Sequence, residues 1–199
     1  CMTACTNGSA FMTPVDVSQL GRASISASLP DLPPLSGKRI AVIGGGPAGI
    51  STAWQLRRMG HEAVVFDNAP TLGGKIASVI PQSRIPREVV EKELERVQAV
   101  IPHVHLQQRL TVGDMDALIA DFDMVVIAAG AQKPRLLDIP GRERMLTALE
   151  FLNDAKKGAL HVGRRVVIIG AGNVGCDVAT EASRLGAEEL TLLDVMEPA

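Results

Sequence analysis

Short apolar runs alternate with longer amphipathic stretches from residue 39 to the end of this 199-residue chain, the rhythm of strands that are each followed by a helix. Arg39-Ile40-Ala41-Val42-Ile43 reads as a buried strand, residues 47–59 as the helix after it, ended at Gly60, and 61–67 as a second strand. The same order recurs as a strand at 165–169, a helix at 173–185, Gly186, and a strand at 189–194. Between these units, Val89, Val90, Leu94, Val97 and Val100 recur at helical spacing, which predicts an amphipathic helix over 87–100 packed on the sheet. The charges among them, Glu91, Lys92, Glu93, Glu95 and Arg96, read as a solvated face with some i, i+4 pairing. Pro81 and Pro86 flank an extended 82–85; 103–107 reads as a strand, 114–120 as a short helix, 123–128 as a buried strand, and 145–156 as a helix. Strands that alternate with helices predict an α/β protein with a parallel sheet.

Each repeated unit carries a glycine fingerprint at its strand-to-helix turn. Gly44-Gly45-Gly46-Pro47-Ala48-Gly49 follows the first strand and Gly170-Ala171-Gly172-Asn173-Val174-Gly175 the later one, each with an aspartate at the end of the next strand, Asp67 and Asp194. The first glycine permits the tight turn, the second lets a pyrophosphate approach the backbone, and the third lets helix and strand pack closely. Helix N-terminal amides then hold the phosphates, and the aspartate accepts hydrogen bonds from a ribose. Two such units predict two Rossmann-like dinucleotide sites: a complete first domain with a parallel sheet and the beginning of a second domain. Only two strands of the second unit are visible, so the chain reads as a fragment whose remaining strands lie beyond Ala199.

Composition limits the alternatives. A net charge of −2 gives no electrostatic case for nucleic acid, and no apolar run is long enough to span a bilayer. Three cysteines make no disulfide framework, so a reducing, cytoplasmic setting is the default expectation. Leu29-Pro30-Asp31-Leu32-Pro33-Pro34-Leu35-Ser36-Gly37 is a stiff linker, preceded by a small, polar segment in which Thr13-Pro14-Val15-Asp16 offers a helix start. The expected division is a tail at 1–27, a linker at 28–37, a first nucleotide domain at 38–144 and half of a second at 145–199.

From Gly37 to Asp194 the chain resembles the flavoproteins with two dinucleotide-binding domains, in the branch of the glutamate synthase small subunit, dihydropyrimidine dehydrogenase and adrenodoxin reductase. The marks are Gly44 to Gly49 with Asp67; Gly73-Gly74 with Ile80-Pro81 and Arg84-Ile85-Pro86; the run from Val125 to Gly130 closing on Ile139-Pro140-Gly141; and Gly172-Asn173 with Asp177. The resemblance implies FAD at Gly44, Gly46, Pro47, Ala48, Gly49 and Asp67. It places Gly74, Lys75 and Leu110 along the flavin and adenine, and Ala129 and Gly130 where the chain crosses toward the second domain. It implies a nicotinamide nucleotide at Gly170, Gly172, Asn173, Val174, Gly175 and Asp194. Cys1-Met2-Thr3-Ala4-Cys5 resembles the tail of the cysteine-rich helical domain that precedes the flavin domain in this branch. That resemblance implies thiolate ligation of a [4Fe-4S] cluster by Cys1 and Cys5, with its other ligands upstream; the alternative is two unliganded thiols. The segment that returns to the flavin in this family is absent, so the piece alone is expected to hold FAD weakly.

Related disulfide reductases carry a redox cysteine pair near the flavin, whereas Gly73-Gly74-Lys75-Ile76-Ala77 has none. Electrons are therefore expected to leave singly, to iron-sulfur centres or a partner redox subunit, because nicotinamide delivers a hydride and flavin converts between two-electron and one-electron transfer. NADH is expected over NADPH, because a carboxylate at Asp194 favours a free ribose 2′-hydroxyl and repels a 2′-phosphate. Hydride transfer requires no acid or base from a side chain of this fragment, so no catalytic residue is assigned. The rival reading is a non-catalytic nucleotide-binding or assembly module; a dehydrogenase with nicotinamide at both sites is disfavoured by the Gly-Gly-Pro-Ala-Gly order.

Other residues carry plainer expectations. Cys176 reads as a small core residue, and His103 and His105 as partly exposed residues at a sheet edge, without a third ligand for a metal. Lys75 is either a solvated loop charge or a flavin contact, and Arg84 either supports the cofactor or caps a turn.

Overall fold

The computed structural model describes residues 26–134 and 136–195. The cysteine pair at Cys1 and Cys5, the helix expected after Thr13, and Met196 and Glu197 lie outside them.

The first unit is a four-stranded parallel sheet in the order β3-β2-β1-β4, formed by β1 (Arg39–Ile43), β2 (Glu62–Phe66), β3 (His103–His105) and β4 (Met124–Ile127). Residue alternation assigns its faces. Ile40, Val42, Ala63 and Val65 point to one side, where α1 (Pro47–Arg58) and α3 (Arg87–Val100) contribute Ala53, Val97 and Val100. Ala41, Val64 and Phe66 point to the other, where α4 (Met115–Asp121) contributes Leu118. Val42 and Ala41 are fully buried, and each buried branched side chain contributes about 1.5–3 kcal/mol of transfer free energy. The chain runs outward through β2 and β3 and then returns to the opposite side of β1, so β1 and β4 flank a topological switch point.

The second unit pairs β5 (Arg165–Ile169) in parallel with β6 (Glu189–Leu193) through α6 (Asn173–Arg184), with α5 (Ala148–Lys156) alongside. Phe151, Leu152, Ile168, Val178 and Ala182 form its core. The opposite strand face leaves Val167, Ile169 and Leu193 about half exposed. The expected fold class, a Rossmann-like parallel domain followed by the beginning of another, is the observed one.

Several boundaries differ for local reasons. The segment 82–85 is a turn and not extended, because the Arg84 and Ile85 amides both donate to the Pro81 carbonyl. The β3 strand stops at His105, since the amides of Gln107 and Gln108 turn to Ala69 and Asp67 and Gln107 adopts φ 57°. The strand at β4 was expected to be buried, but its end residues Met124 and Ile127 are 57% and 70% exposed at the sheet edge. Helix α5 starts at Ala148, three residues later than expected, because Thr147 and Glu150 form a reciprocal capping box. A 3₁₀ turn at Val112–Asp114 precedes α4 and moves its start to Met115. Helix α3 has the expected bounds, and Arg87 pairs with Glu91 along it.

Candidate functional site

The carboxyl ends of β1, β2 and β4 open into a cleft of about 990 Å³ that passes the first fingerprint. Its floor is the β1–α1 turn. Gly44 adopts φ +112°, and a Cβ there would lie 2.3 Å from the Ala128 carbonyl oxygen, so only glycine fits between the ends of β1 and β4. At Gly49 a Cβ would lie 1.7 Å from the Gly44 oxygen; helix and turn meet there without room for a side chain. Gly46 differs, with only the Gly74 Cα near its vacant Cβ position, at 3.8 Å, which leaves its backbone open to the cleft.

The second fingerprint repeats this construction. Gly170 adopts φ +104°, a Cβ at Gly175 would lie 1.9 Å from the Gly170 oxygen, and one at Gly172 would meet nothing within 4 Å. Both helices begin at a glycine without a side-chain cap and without an acidic residue in the first turn. Their amide ends and positive dipole ends are thus available to an anion. Asn173 and Val174 are exposed at the start of α6.

Both strand-end aspartates brace the turns. One Asp67 carboxylate oxygen accepts from the Gly45 amide and the other from the Ala69 amide, while the residue still lines the cleft. Asp194 accepts from the amides of Ala171 and Val195. At the middle position a Cβ on Gly45 would lie 2.5 Å from a Leu72 methyl group, and the second unit carries Ala171 there.

Gly44, Gly46, Pro47, Ala48, Asp67, Gly74, Lys75, Leu110, Ala129 and Gly130 all line this cleft; Gly49 lies beneath it as a packing residue. Lys75 is neither a free loop charge nor directed wholly at the cleft, since its Nζ donates to the Ala131 carbonyl at 2.6 Å and ties the two walls together. Sequence reasoning missed Gln108, Arg109, Arg87 and Lys156, which also line it. Gln108 and Arg109 adjoin Leu110, but the turn toward Asp67 that brings them in has no local signature. Lys156 donates to the carbonyls of Ile76 and Ile80 at 3.1 and 2.8 Å. Partial burial, and then the Arg87 cation, lowers its amine below the ordinary value.

Arg84 neither lines the cleft nor caps its own turn: its Nε donates to Asp177 on α6. Cys176, expected in the core, is exposed at the solvent side of α6 with its thiol 3.6 Å from the Ala171 oxygen. His103 and His105 are exposed on the edge strand, His105 stacking on Phe66, and no cluster of metal-ligating side chains occurs among the described residues. No described helix is long and apolar enough to cross a membrane.

Known proteins share this arrangement. The chain is 35% identical over 165 residues to the NADP(+)-dependent formate dehydrogenase subunit beta of Moorella thermoacetica, covering 79% of this chain and 23% of that one. It is 32% identical over an alignment of 222 residues to glutamate synthase [NADH] of Schizosaccharomyces pombe, covering 98% of this chain and 10% of that one. It thus spans less than a quarter of the length of either relative. The fold is shared with FprA of Mycobacterium tuberculosis, solved in complex with NADPH, at a TM-score of 0.62 and 22% identity over 78% of this chain and 42% of that one. Residues 38–198 match the pyridine nucleotide-disulphide oxidoreductase family across both fingerprints, and the chain belongs to that family.

Proposed function

We propose that this chain is the nucleotide-binding part of an FAD-dependent NAD(P)H oxidoreductase, with FAD at the first fingerprint and the nicotinamide nucleotide at the second. The observation that carries this reading is the paired construction of Gly46 and Gly172, each an open glycine at an uncapped helix N-terminus, the first beside a dinucleotide-sized cleft. Bound FAD would supply the exchange between two-electron and one-electron transfer. The residues fit it: amides at the start of α1 would hold the pyrophosphate, Asp67 would accept from the ribose, and Lys75 and Gly130, which line the cleft, would bound the remainder. No side chain has to move a proton for hydride transfer; the chain's task is alignment and exclusion of water.

At the second site the Asp194 carboxylate stands at the end of β6 beside the turn. A negative group there favours a ribose hydroxyl over a phosphate, which supports NADH over NADPH. The relatives include one named for each nucleotide. The electron acceptor in this reading is an iron-sulfur centre or a partner redox subunit, with Cys1 and Cys5 as candidate [4Fe-4S] ligands.

The test is anaerobic titration of the intact protein. Visible flavin absorbance that bleaches on addition of NADH supports the reading, and absence of flavin, or flavin that neither nucleotide bleaches, overturns it in favour of a non-catalytic nucleotide-binding module. A lower KM for NADPH than for NADH overturns the preference alone.

A further inference from the structure

The segment from Gly74 to Pro86 follows the first fingerprint unit in sequence, yet it packs into the second. At its start the Gly73 amide donates to the Gly45 carbonyl at 2.8 Å, and a Cβ at Gly74 would lie 2.8 Å from the Gly46 Cα. The short helix α2 (Lys75–Ser78) follows, and Val79 then packs against the core of Phe151, Leu152, Ile168, Val178 and Ala182. Lys156 of α5 holds the Ile76 and Ile80 carbonyls. The 82–85 turn presents two side chains to α6: Ser83 donates to Glu181 at 3.3 Å and Arg84 to Asp177. Asp177 and Glu181 are one turn apart on one face of α6, and Asp177 is one turn beyond Asn173 of the second fingerprint. Asp177 is only 13% exposed, so its carboxylate has little water to replace the guanidinium.

We propose that residues 74–86 are a positioning strap between the two nucleotide sites, locked by Arg84 on Asp177, that sets the second fingerprint helix relative to the first cleft. The proposal rests on the oxidoreductase reading for its consequence. Hydride transfer requires reacting atoms within about 3–3.5 Å, and a misplacement of about 1 Å costs about 10²-fold in rate. Asp177→Asn removes the pair without leaving a buried charge behind, so its effect on the rate of flavin reduction is separable from the stability that Arg84→Gln loses by stranding the Asp177 carboxylate. Arg84 and Asp177 lie outside the lining of the first cleft and are positioning residues.

The experiment uses the intact, flavin-loaded protein with Asp177→Asn, Arg84→Gln and the charge exchange Arg84→Asp with Asp177→Arg. Both single variants are expected to keep their FAD and their rate of reduction by dithionite, while reduction by saturating NADH falls about 10- to 100-fold. The exchange is expected to restore most of that loss. Independently of any cofactor, amide hydrogen exchange at Arg84, Ile85 and Cys176, whose amides are hydrogen-bonded to Pro81 and Gly172, is expected to accelerate about tenfold in each single variant. Reduction by NADH at the native rate in the single variants overturns the proposal, as does loss of FAD, which would make the strap a wall of the first site. If the unmodified protein is not reduced by either nucleotide, the oxidoreductase reading fails; unchanged exchange in Asp177→Asn then overturns the strap, and accelerated exchange supports it.

Discussion

The Asp67 carboxylate accepts a hydrogen bond from the amide of Gly45, 22 residues earlier, and so ties the end of β2 to the first fingerprint turn. Asp194 makes the same bond to Ala171 across 23 residues. These aspartates brace the turns, and under the proposed function they would also bind the sugars, which gives their substitution two separable effects.

Asp67 also accepts from the Ala69 amide and is partly buried, whereas Asp194 is exposed. An amide in place of the carboxylate has one oxygen for two donors and sets its own NH₂ against an N–H. Asp67→Asn is expected to lower stability by about 2 kcal/mol, and Asp194→Asn by less than about 1 kcal/mol. Urea unfolding of the two variants measures this, and equal losses would contradict the assignment of different burial roles.

The fingerprint glycines divide into two groups that alanine scanning separates. A Cβ at Gly49 or Gly175 runs into a backbone oxygen at 1.7 or 1.9 Å, which no rotamer relieves. Gly49→Ala and Gly175→Ala are expected to cost about 3 kcal/mol or more. Gly46→Ala and Gly172→Ala meet no such contact and are expected to shift stability by no more than about 0.5 kcal/mol. They should instead weaken nucleotide binding, Gly46→Ala at the flavin and Gly172→Ala at the nicotinamide nucleotide. Thermal melts and binding titrations of the four variants test the division.

What could be read from sequence was what repeats locally. Ile40 and Val42 announce β1 by apolar continuity, Gly44 and Gly49 announce the turn by spacing, and Val97 and Val100 announce α3 by period. The cleft-lining residues named by resemblance lie together because the segments that carry them follow the carboxyl ends of parallel strands, and only the structure supplies the β3-β2-β1-β4 order that brings those ends side by side. The remainder depends on contacts without a local pattern. Pro81 and Pro86 suggested extension, but the Pro81 carbonyl gathers two amides into a turn. Met145 and Leu146 continued the apolar pattern of α5, yet the Thr147 box stops the helix short of them. Arg84 meets Asp177 across 93 residues, and Lys156 reaches Ile76 across 80. Cys176 looked like core filler beside a fingerprint glycine, but α6 turns that position outward.

Acid sensitivity has a definite sign. The Lys38 ammonium, then the Arg39 amide, holds the Asp123 carboxyl below its ordinary value of 3.8. The Thr111 and Thr147 hydroxyls, followed by the amides of the same residues, do so for Asp114 and Glu150. A group whose folded pKa is depressed stabilises the fold above its unfolded pKa and loses that contribution as pH falls through the folded value. Stability is therefore expected to be level near neutrality and to decline below about pH 4. Asp123→Asn should lower the neutral plateau and flatten the acid slope, as followed by urea midpoints across pH. A slope unchanged by the substitution would show that Lys38 does not hold the carboxylate in solution.

The start of α5 gives a local test whose effect reaches the strap. Thr147 Oγ1 accepts from the Glu150 amide at 3.3 Å, and Glu150 accepts from the Thr147 amide at 2.9 Å, so two of the helix-start donors are satisfied reciprocally. Thr147→Ala removes one acceptor and is expected to cost about 1 kcal/mol, whereas Thr147→Ser retains the oxygen and should cost only a few tenths. Glu150→Gln keeps a neutral acceptor and should fall between them. The same helix presents Phe151 and Leu152 to the second core and Lys156 to the carbonyls of Ile76 and Ile80. Fraying at its start is therefore expected to raise hydrogen exchange first at Phe151, whose amide donates to the Thr147 carbonyl, before the turn that carries Lys156. If Thr147→Ala exposes both ends of α5 together, the helix opens as one unit and the cap is not a local device; protection retained around Lys156 establishes that the clamp on the strap survives loss of the cap.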